Sequence, residues 1–491
     1  MFGRTIGSVA LMVATSTFAA AQPVPTGALD STVARLFALE AAPGIGVVVV
    51  RDTQIVYMKG FGMADVEARR PLTPQTVFYI ASTTKSFTGL AAAILDGQGT
   101  FRLDARLSEY LPNVTLRPPL DARAITIRSL LTHTHGIAGG PVEIRLAYTG
   151  EYTGNAQLIE LLAEHAPLPN RDYRYSNIGY NIAALAMDTT LRESWKDVLQ
   201  RVLFAPLGMT STSAYVSRFP AERLVMPYRS AAQGFTRLRY GKFDENMQSA
   251  GGLVTTLADM GRWLEVHING GRLDGRQVLP AAAVAESHKV LARVSGRQRG
   301  LQQVGYGLGW QIALDGRDTL LVHGGGFPGF ATHMSFMPQE RIGVAVFANT
   351  SDLGSVLVDL VAREVYATMR GTRGTNSDSL ARLREVVARQ RQAVAADLAR
   401  RGARPQTLPL PLTAYAGRYE SPALGTLELR IVNGKLEAIM GRAWSAVEAY
   451  DAERHQLRVE LTGGGTVIQM HVSGQRADSL TLEGTVFRRT R

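Results

Sequence analysis

Cysteine is absent from the 491 residues. That excludes disulfides, thiolate metal sites, cysteine nucleophiles and a lipid anchor attached through a cysteine. Beyond the N-terminal segment, the chain has no run of the ~20 uninterrupted apolar residues that a spanning helix needs. No membrane span is therefore expected. Acidic residues are fewer than basic ones, 42 Asp and Glu against 53 Lys and Arg, for a formal net charge of +11. Such a balance suits nucleic acid, an anionic surface or an acidic substrate. No basic tract with interleaved aromatics is present, so a nucleic-acid site is not expected. The charge reads as an arginine-rich solvated surface. Fixed-period repeats and long low-complexity tracts are also missing, which excludes a solenoid.

What remains is an ordinary globular composition, 45% hydrophobic and 19% charged, in a chain long enough for two or three domains. The N-terminus does not read as folded structure. Arg4 supplies a positive charge, an apolar stretch runs from Ile6 to Val13 and on through small residues to Phe18, and Ala19-Ala20-Ala21 precedes Gln22. That three-part build predicts a secretory signal peptide over residues 1–21, with an uncleaved anchor as the alternative. The expected location is secreted or periplasmic.

Asp30 to Leu39 has the spacing of an amphipathic helix. Ile45–Val50 and Ile55–Tyr57 read as two strands joined by a polar turn. From Ser82 to Val290 the texture is helical, with helices expected over Ser82–Asp96, Ala156–Glu164, Gly179–Leu191 and Leu257–Asn269. Strands resume at Tyr306–Ala313, Leu320–Val322, His333–Met337 and Gly343–Phe347, and a helix follows over Gly354–Met369. The pattern predicts an α+β fold. An antiparallel sheet is built from both ends of the segment, flanked by helices and interrupted by a mostly helical insert. A ligand cleft is expected between sheet and insert. Residues 22–370 would form this domain and residues 371–407 a linker containing a helix. Residues 408–491 would form a small all-β domain. There Leu427, Leu429 and Ile431 alternate, Asn433-Gly434 offers a tight turn, and Leu436, Ala438 and Met440 alternate again.

Three short motifs carry possible chemistry. Ser82 and Lys85 lie three apart at a helix start and so share one face. A serine hydroxyl needs a partner that removes its proton, and a lysine of lowered pKa is one such partner. Read alone, the pair is an N-cap serine with an exposed lysine. Tyr175-Ser176-Asn177 precedes another helix. A phenol can shuttle a proton, and an amide can hold both a lysine and a substrate carbonyl. Read alone, it is a turn with a helix cap. His323-Gly324-Gly325-Gly326 closes a strand. Glycines there let backbone approach a ligand, and a strand edge can pair with an extended acyl chain. Read alone, it is a glycine-rich turn. His133 and His135 share a loop with no carboxylate pair nearby, which favours a structural role over a metal site.

Together and in this order, Ser-x-x-Lys, Tyr-x-Asn and His-x-Gly resemble the serine beta-lactamase and penicillin-binding-protein superfamily. The flanking blocks agree: Ile125 to Gly136, Ala250-Gly251-Gly252-Leu253 with Thr256 and Asp259, Tyr306 to Trp310, and Gly329-Phe330. The resemblance runs from about Asp30 to Met369. It is nearest to the class C beta-lactamase-related branch, with its D-alanyl-D-alanine carboxypeptidases, D-aminopeptidases and esterases. The segment after Leu408 resembles the lipocalin-like domain appended to some members.

The resemblance implies an acyl-enzyme serine hydrolase acting on D-amino-acid peptides, beta-lactams or small esters, without cofactor or metal. Its partner would be a small-molecule or peptide substrate. Ser82 would be the nucleophile, Lys85 its partner in proton transfer, and Tyr175 the base for acylation and the acid for the leaving group, with the choice of first base between Lys85 and Tyr175 left open. Asn177, His323, Gly325 and Gly326 would bind substrate, and Gly326 would offer an oxyanion N–H. Two positions depart from the pattern. His323 stands where class C lactamases carry a lysine, which favours peptidase or esterase work over efficient lactam hydrolysis. His135 stands where the related loop usually has serine. A carboxylesterase of the same fold, a catalytically silent penicillin-binding or sensing protein, and a metal hydrolase are the alternatives.

Overall fold

The computed structural model describes residues 25–298, 300–372 and 376–490. The expected signal segment lies outside the described residues. The first helix, α1 (Thr26–Phe37), leads into β1 (Gly44–Arg51), β2 (Gln54–Asp65) and the short β3 (Arg70–Pro71). Six more strands come from far along the chain: β4 (Ala292–Gln298), β5 (Leu301–Tyr306), β6 (Gln311–Asp315), β7 (Asp318–Phe327), β8 (Phe330–Met337) and β9 (Ile342–Ala348). Together they form one nine-stranded sheet in the order β4-β5-β6-β7-β8-β9-β1-β2-β3. The seam between the two ends is the antiparallel pair β1–β9, running from Ile45 opposite Ala348 to Arg51 opposite Ile342.

β1 reads as a continuous apolar run because helices cover both of its faces. Ile45, Val47 and Val49 pack with α1 and with α5 (Gly354–Met369), through residues such as Val33, Leu357 and Val361. The alternate side chains Val48 and Val50 belong to the core on the other face. That core includes α2 (Thr84–Gly97), α3 (Ile178–Leu191) and α4 (Leu257–Ile268). This is the two-residue period of a strand read against two separate cores.

Helix α2 is buried on every side except its last turn. Phe87 stacks on Trp263 of α4 with ring centroids 3.8 Å apart. On another side α2 rests on the turn between β5 and β6, and this turn explains why the expected single strand Tyr306–Ala313 is two strands. Gly309 has φ +81°, and a Cβ there would stand 2.4 Å from the carbonyl carbon and oxygen of Lys85. The chain must break its extended course to let α2 approach. Gly309→Ala is expected to cost about 3 kcal/mol or more, from left-handed strain plus overpacking against backbone. Thermal unfolding would register it as a clear fall in Tm.

Two other expectations shift for local reasons. The helix expected over Ala156–Glu164 is a short α-helix, Asn155–Glu160, that tightens into a 3-10 turn over Leu161–Glu164. Strand β4 follows a polar stretch without alternation and carried no strand signal. After α5, the helix α6 (Asn376–Gly402) leads to the C-terminal unit.

That unit is one nine-stranded antiparallel sheet, nearly closed into a barrel. Its strands are β10 (Gly417–Ser421), β11 (Gly425–Val432), β12 (Lys435–Met440), β13 (Ala443–Ala446), β14 (Glu448–Asp451), β15 (Gln456–Val459), β16 (Thr466–Ser473), β17 (Arg476–Leu482) and β18 (Thr485–Arg489). They run in the order β13-β12-β11-β10-β18-β17-β16-β15-β14. The Asn433-Gly434 turn closes the β11–β12 hairpin with both residues at positive φ, as a tight two-residue hairpin turn demands. Inward positions such as Leu427, Leu457, Ile468, Leu480 and Phe487 are fully buried. Among the described residues, no helix is long and apolar enough to cross a membrane.

Candidate active site

Ser82 sits in a 3-10 turn, Ala81–Thr83, that runs directly into α2. The approach is extended, with Phe78 and Tyr79 paired to Thr255 and Val254. The turn is tight enough to force Ala81 to φ +46°. Three hydrogen bonds hold it: Ile80 N–H donates to the Leu253 carbonyl at 3.1 Å, and the Ile80 carbonyl accepts from the hydroxyls of Thr83 at 2.7 Å and Thr332 at 3.1 Å. No cap bond from the Ser82 hydroxyl is present. Its Oγ instead accepts from Lys85 Nζ at 3.2 Å.

Lys85 is fully buried, which overturns the exposed-lysine reading. Its ammonium donates to three acceptors: Ser82 Oγ, Asn177 Oδ1 at 2.8 Å and the Ala250 carbonyl at 2.7 Å. Three N–H bonds and three acceptors leave no donor unmatched. Burial away from water nevertheless disfavours the charge and brings the Lys85 pKa down to about 7, with the Glu143 carboxylate partly opposing the fall. A lysine so placed is part base and part acid near neutral pH.

Asn177 precedes α3, yet its side chain makes no cap bond. Its Oδ1 faces Lys85 while its Nδ2 donates to Glu143 Oε1 at 3.4 Å. Glu143 thereby fixes which end of the amide faces the lysine. Its second oxygen, Oε2, is buried without a hydrogen-bond partner. Burial raises the Glu143 pKa, against the lowering effect of Lys85. Sequence reasoning missed Glu143, a lone acid on the one-turn helix Pro141–Ile144 that carries no signature. The Ala250 carbonyl was missed as well, although the Ala-Gly-Gly-Leu block that holds it was singled out.

Tyr175 is 39% exposed in the cleft. Lys85 Nζ lies 4.9 Å from its ring centroid, and the ring of His323 lies 5.9 Å away. The two loop histidines set this segment in place. His133, at φ +61°, is buried against Tyr173, Tyr175, Tyr180 and Tyr306 and accepts from Ser176 N–H at 3.3 Å. His135 accepts from Ile137 N–H at 3.0 Å and turns its other nitrogen to the Ser176 hydroxyl at 3.2 Å. Burial pushes the His135 pKa down to about 4 and that of His133 well below its usual value. Both are neutral braces of the Tyr175-Ser176-Asn177 turn.

The third motif lies on β7. His323 is buried, with Nδ1 2.8 Å from the Gly324 carbonyl and Nε2 3.2 Å from the Tyr306 hydroxyl. β6 pairs with β7 only as far as Val322, so His323–Phe327 form an open edge. Two-residue turns close the β6–β7 and β7–β8 hairpins, at Asp315–Asp318 and Phe327–Phe330. Counting the antiparallel ladder from those turns puts the N–H groups of Gly324 and Gly326 on that edge. Gly325 is where size matters. A Cβ there would stand 2.4 Å from the Ile80 carbonyl oxygen and 2.3 Å from Thr332 Oγ1, whereas around Gly326 the space is open. Gly325 thus lets the strand press against the turn that carries Ser82, and Gly326 presents an N–H beside it.

A model of the beta-lactamase family matches residues 29–367. The chain belongs to the beta-lactamase family. Among curated proteins of this kind, Protein flp of Staphylococcus aureus (strain NCTC 8325 / PS 47) is 26% identical over 316 residues, 62% of this chain and 59% of that protein. The chain thus spans under two thirds of that relative. Unguisins hydrolase ungD of Aspergillus violaceofuscus is 25% identical over 435 residues, 82% of this chain and 76% of that protein. The octameric penicillin-binding protein homologue of Pyrococcus abyssi superposes with a TM-score of 0.60 at 21% identity, covering 94% of this chain and 99% of the other. The D-amino acid amidase of Ochrobactrum anthropi SV3 gives a TM-score of 0.59 at 22% identity, over 70% of this chain and 99% of the other. These structures share the fold.

In this family member the C-terminal barrel touches the helical segment that follows Glu143. Arg145 donates to the Glu151 carbonyl just beyond that segment and to the Ala423 and Pro422 carbonyls of the barrel, at 2.6 and 3.3 Å for the latter two. The Glu151 carboxylate accepts from Thr426 N–H at 3.2 Å. The barrel therefore braces one wall of the cleft, a role its sequence did not announce.

Proposed function

We propose that the chain is an exported hydrolase that forms an acyl-enzyme on Ser82 and acts on small amides or peptides of D-amino acids with a free ammonium group. The observation that carries the substrate class is Glu143, a carboxylate set beside the Lys85–Asn177 pair. Its negative charge there favours a substrate ammonium. A lactam bearing its own carboxylate would meet repulsion there. The likeness to the D-amino acid amidase of Ochrobactrum anthropi supports the D-amino-acid class, and the apolar N-terminal segment supports export.

Lys85 takes the Ser82 proton as Oγ attacks the carbonyl carbon. The oxyanion is received by the N–H groups of Ser82 and Gly326. The carbon–nitrogen bond breaks as the leaving amine takes a proton through Tyr175 at the cleft mouth. Water then hydrolyses the Ser82 ester by the reverse transfers.

The base must be neutral, so kcat/KM should rise with pH through an inflection near 7, the Lys85 value. Glu143 raises that value, so Glu143→Gln should move the inflection down. The same variant should erase the preference for D-phenylalanine amide over its N-acetyl form, read as the ratio of kcat/KM values. An unmoved inflection together with an unchanged ratio would remove Glu143 from the site. Faster turnover of a penicillin or a nitrophenyl ester than of any amide would replace the amidase reading by the lactamase or esterase one.

A further inference from the structure

Behind the approach to Ser82 lies a second cavity, of about 680 Å³, which none of the residues assigned above lines. Part of its wall is apolar: Val77, Tyr79, Val225, Val254 and Phe330 among others. Four cations complete the lining, Arg237, Arg239, Lys242 and Arg442, and no carboxylate does among the described residues. The three arginines are exposed at its rim.

Two of the arginines have carboxylate partners of their own. Arg237 reaches Asp65 at 3.7 Å and Glu67 at 4.0 Å, and Arg442 reaches Glu245 at 3.5 Å. Arg239 stacks on Trp444 with 4.1 Å between guanidinium carbon and ring centroid. Lys242 donates to the carbonyls of Phe243 and Asn246; burial brings its pKa down to about 7, with Lys196 adding to the fall and Asp244 and Glu245 opposing it.

Tyr79 lines one side of the cavity and is itself 2% exposed. A partly apolar chamber of this size suits one small organic molecule, and a lining of one charge sign selects the opposite sign in that molecule.

We infer that this cavity is a binding site, separate from the catalytic cleft, for a single organic carboxylate with an apolar body. The apolar body covers the wall formed by Val77, Val225 and Val254. The carboxylate meets Lys242 and the arginine rim. The inference rests on the cavity alone and stands whether or not the amidase reading does.

Calorimetric titration of the full chain carrying Ser82→Ala tests it, with dodecanoate as probe and dodecylamine as the cation of matched chain. Dodecanoate should bind one per chain, and dodecylamine should bind at least about tenfold more weakly, the scale of one charge-assisted contact. Arg237→Gln at the exposed rim and Lys242→Met should each weaken dodecanoate about tenfold, and Val225→Trp should abolish binding by filling the chamber. Unfolding curves check that each variant folds, and the rim variant, being exposed, keeps the test intact if a buried one does not. No binding of dodecanoate, equal binding of the amine, or binding indifferent to Arg237→Gln and Val225→Trp would overturn the inference.

Discussion

Ser82→Ala is expected to abolish turnover and leave the fold in place. Loss of the nucleophile in a serine hydrolase lowers kcat on the order of 10⁶-fold. Structure gives no reason for a large cost in stability. The Ser82 side chain caps neither the 3-10 turn nor α2, and the turn is held by Ile80, Thr83, Thr332 and Leu253 instead. Its one role in the resting site is to accept from Lys85, which keeps two other acceptors, Asn177 and the Ala250 carbonyl. Amide turnover and thermal unfolding, measured side by side on the same preparation, check both halves. A variant with residual turnover near that of the parent would move the chemistry to another group.

Lys85→Met carries the second large effect. Methionine fills a similar volume without a basic nitrogen, so the loss is that of the base. Removing a positioned proton acceptor costs about 10²–10⁴-fold. The sharper readout is the pH profile. The inflection near 7 belongs to Lys85, and with methionine in its place kcat/KM should lose that inflection while the Ser82-dependent residual rate persists. An inflection near 7 that survives in Lys85→Met would assign it elsewhere and return the proton to Tyr175.

The legible part of the site was the part that needs particular side chains at fixed spacing. Ser82 and Lys85 share a helix face by geometry alone, and the structure brings Asn177 onto the same lysine. The sheet was legible too, because β1 and β9 are uniformly apolar and a strand sandwiched by helices must be. What escaped was what backbone and isolated residues contribute. The Ala250 carbonyl has no side-chain signature. Glu143 is one acid among many until the fold carries it to Asn177. The break at Gly309 depends on how closely α2 packs, which no local pattern encodes. His323 was read only as a replacement for the lysine of class C lactamases, and the structure adds its surroundings: Tyr306, Tyr175 and the Gly324 carbonyl. The barrel's hold on Arg145 and Glu151 joins residues more than two hundred apart, a distance at which periodicity says nothing.

The acyl-enzyme on Ser82 is the central claim, and intact-mass analysis of the protein after exposure to a nitrophenyl ester, a penicillin or a D-amino acid amide tests it most directly. The account predicts a mass increase equal to the acyl group with at least one of the three, mapped to the peptide that contains Ser82 and absent from Ser82→Ala. An adduct of the same size in Ser82→Ala, or turnover of any of the three that persists in that variant, would contradict it.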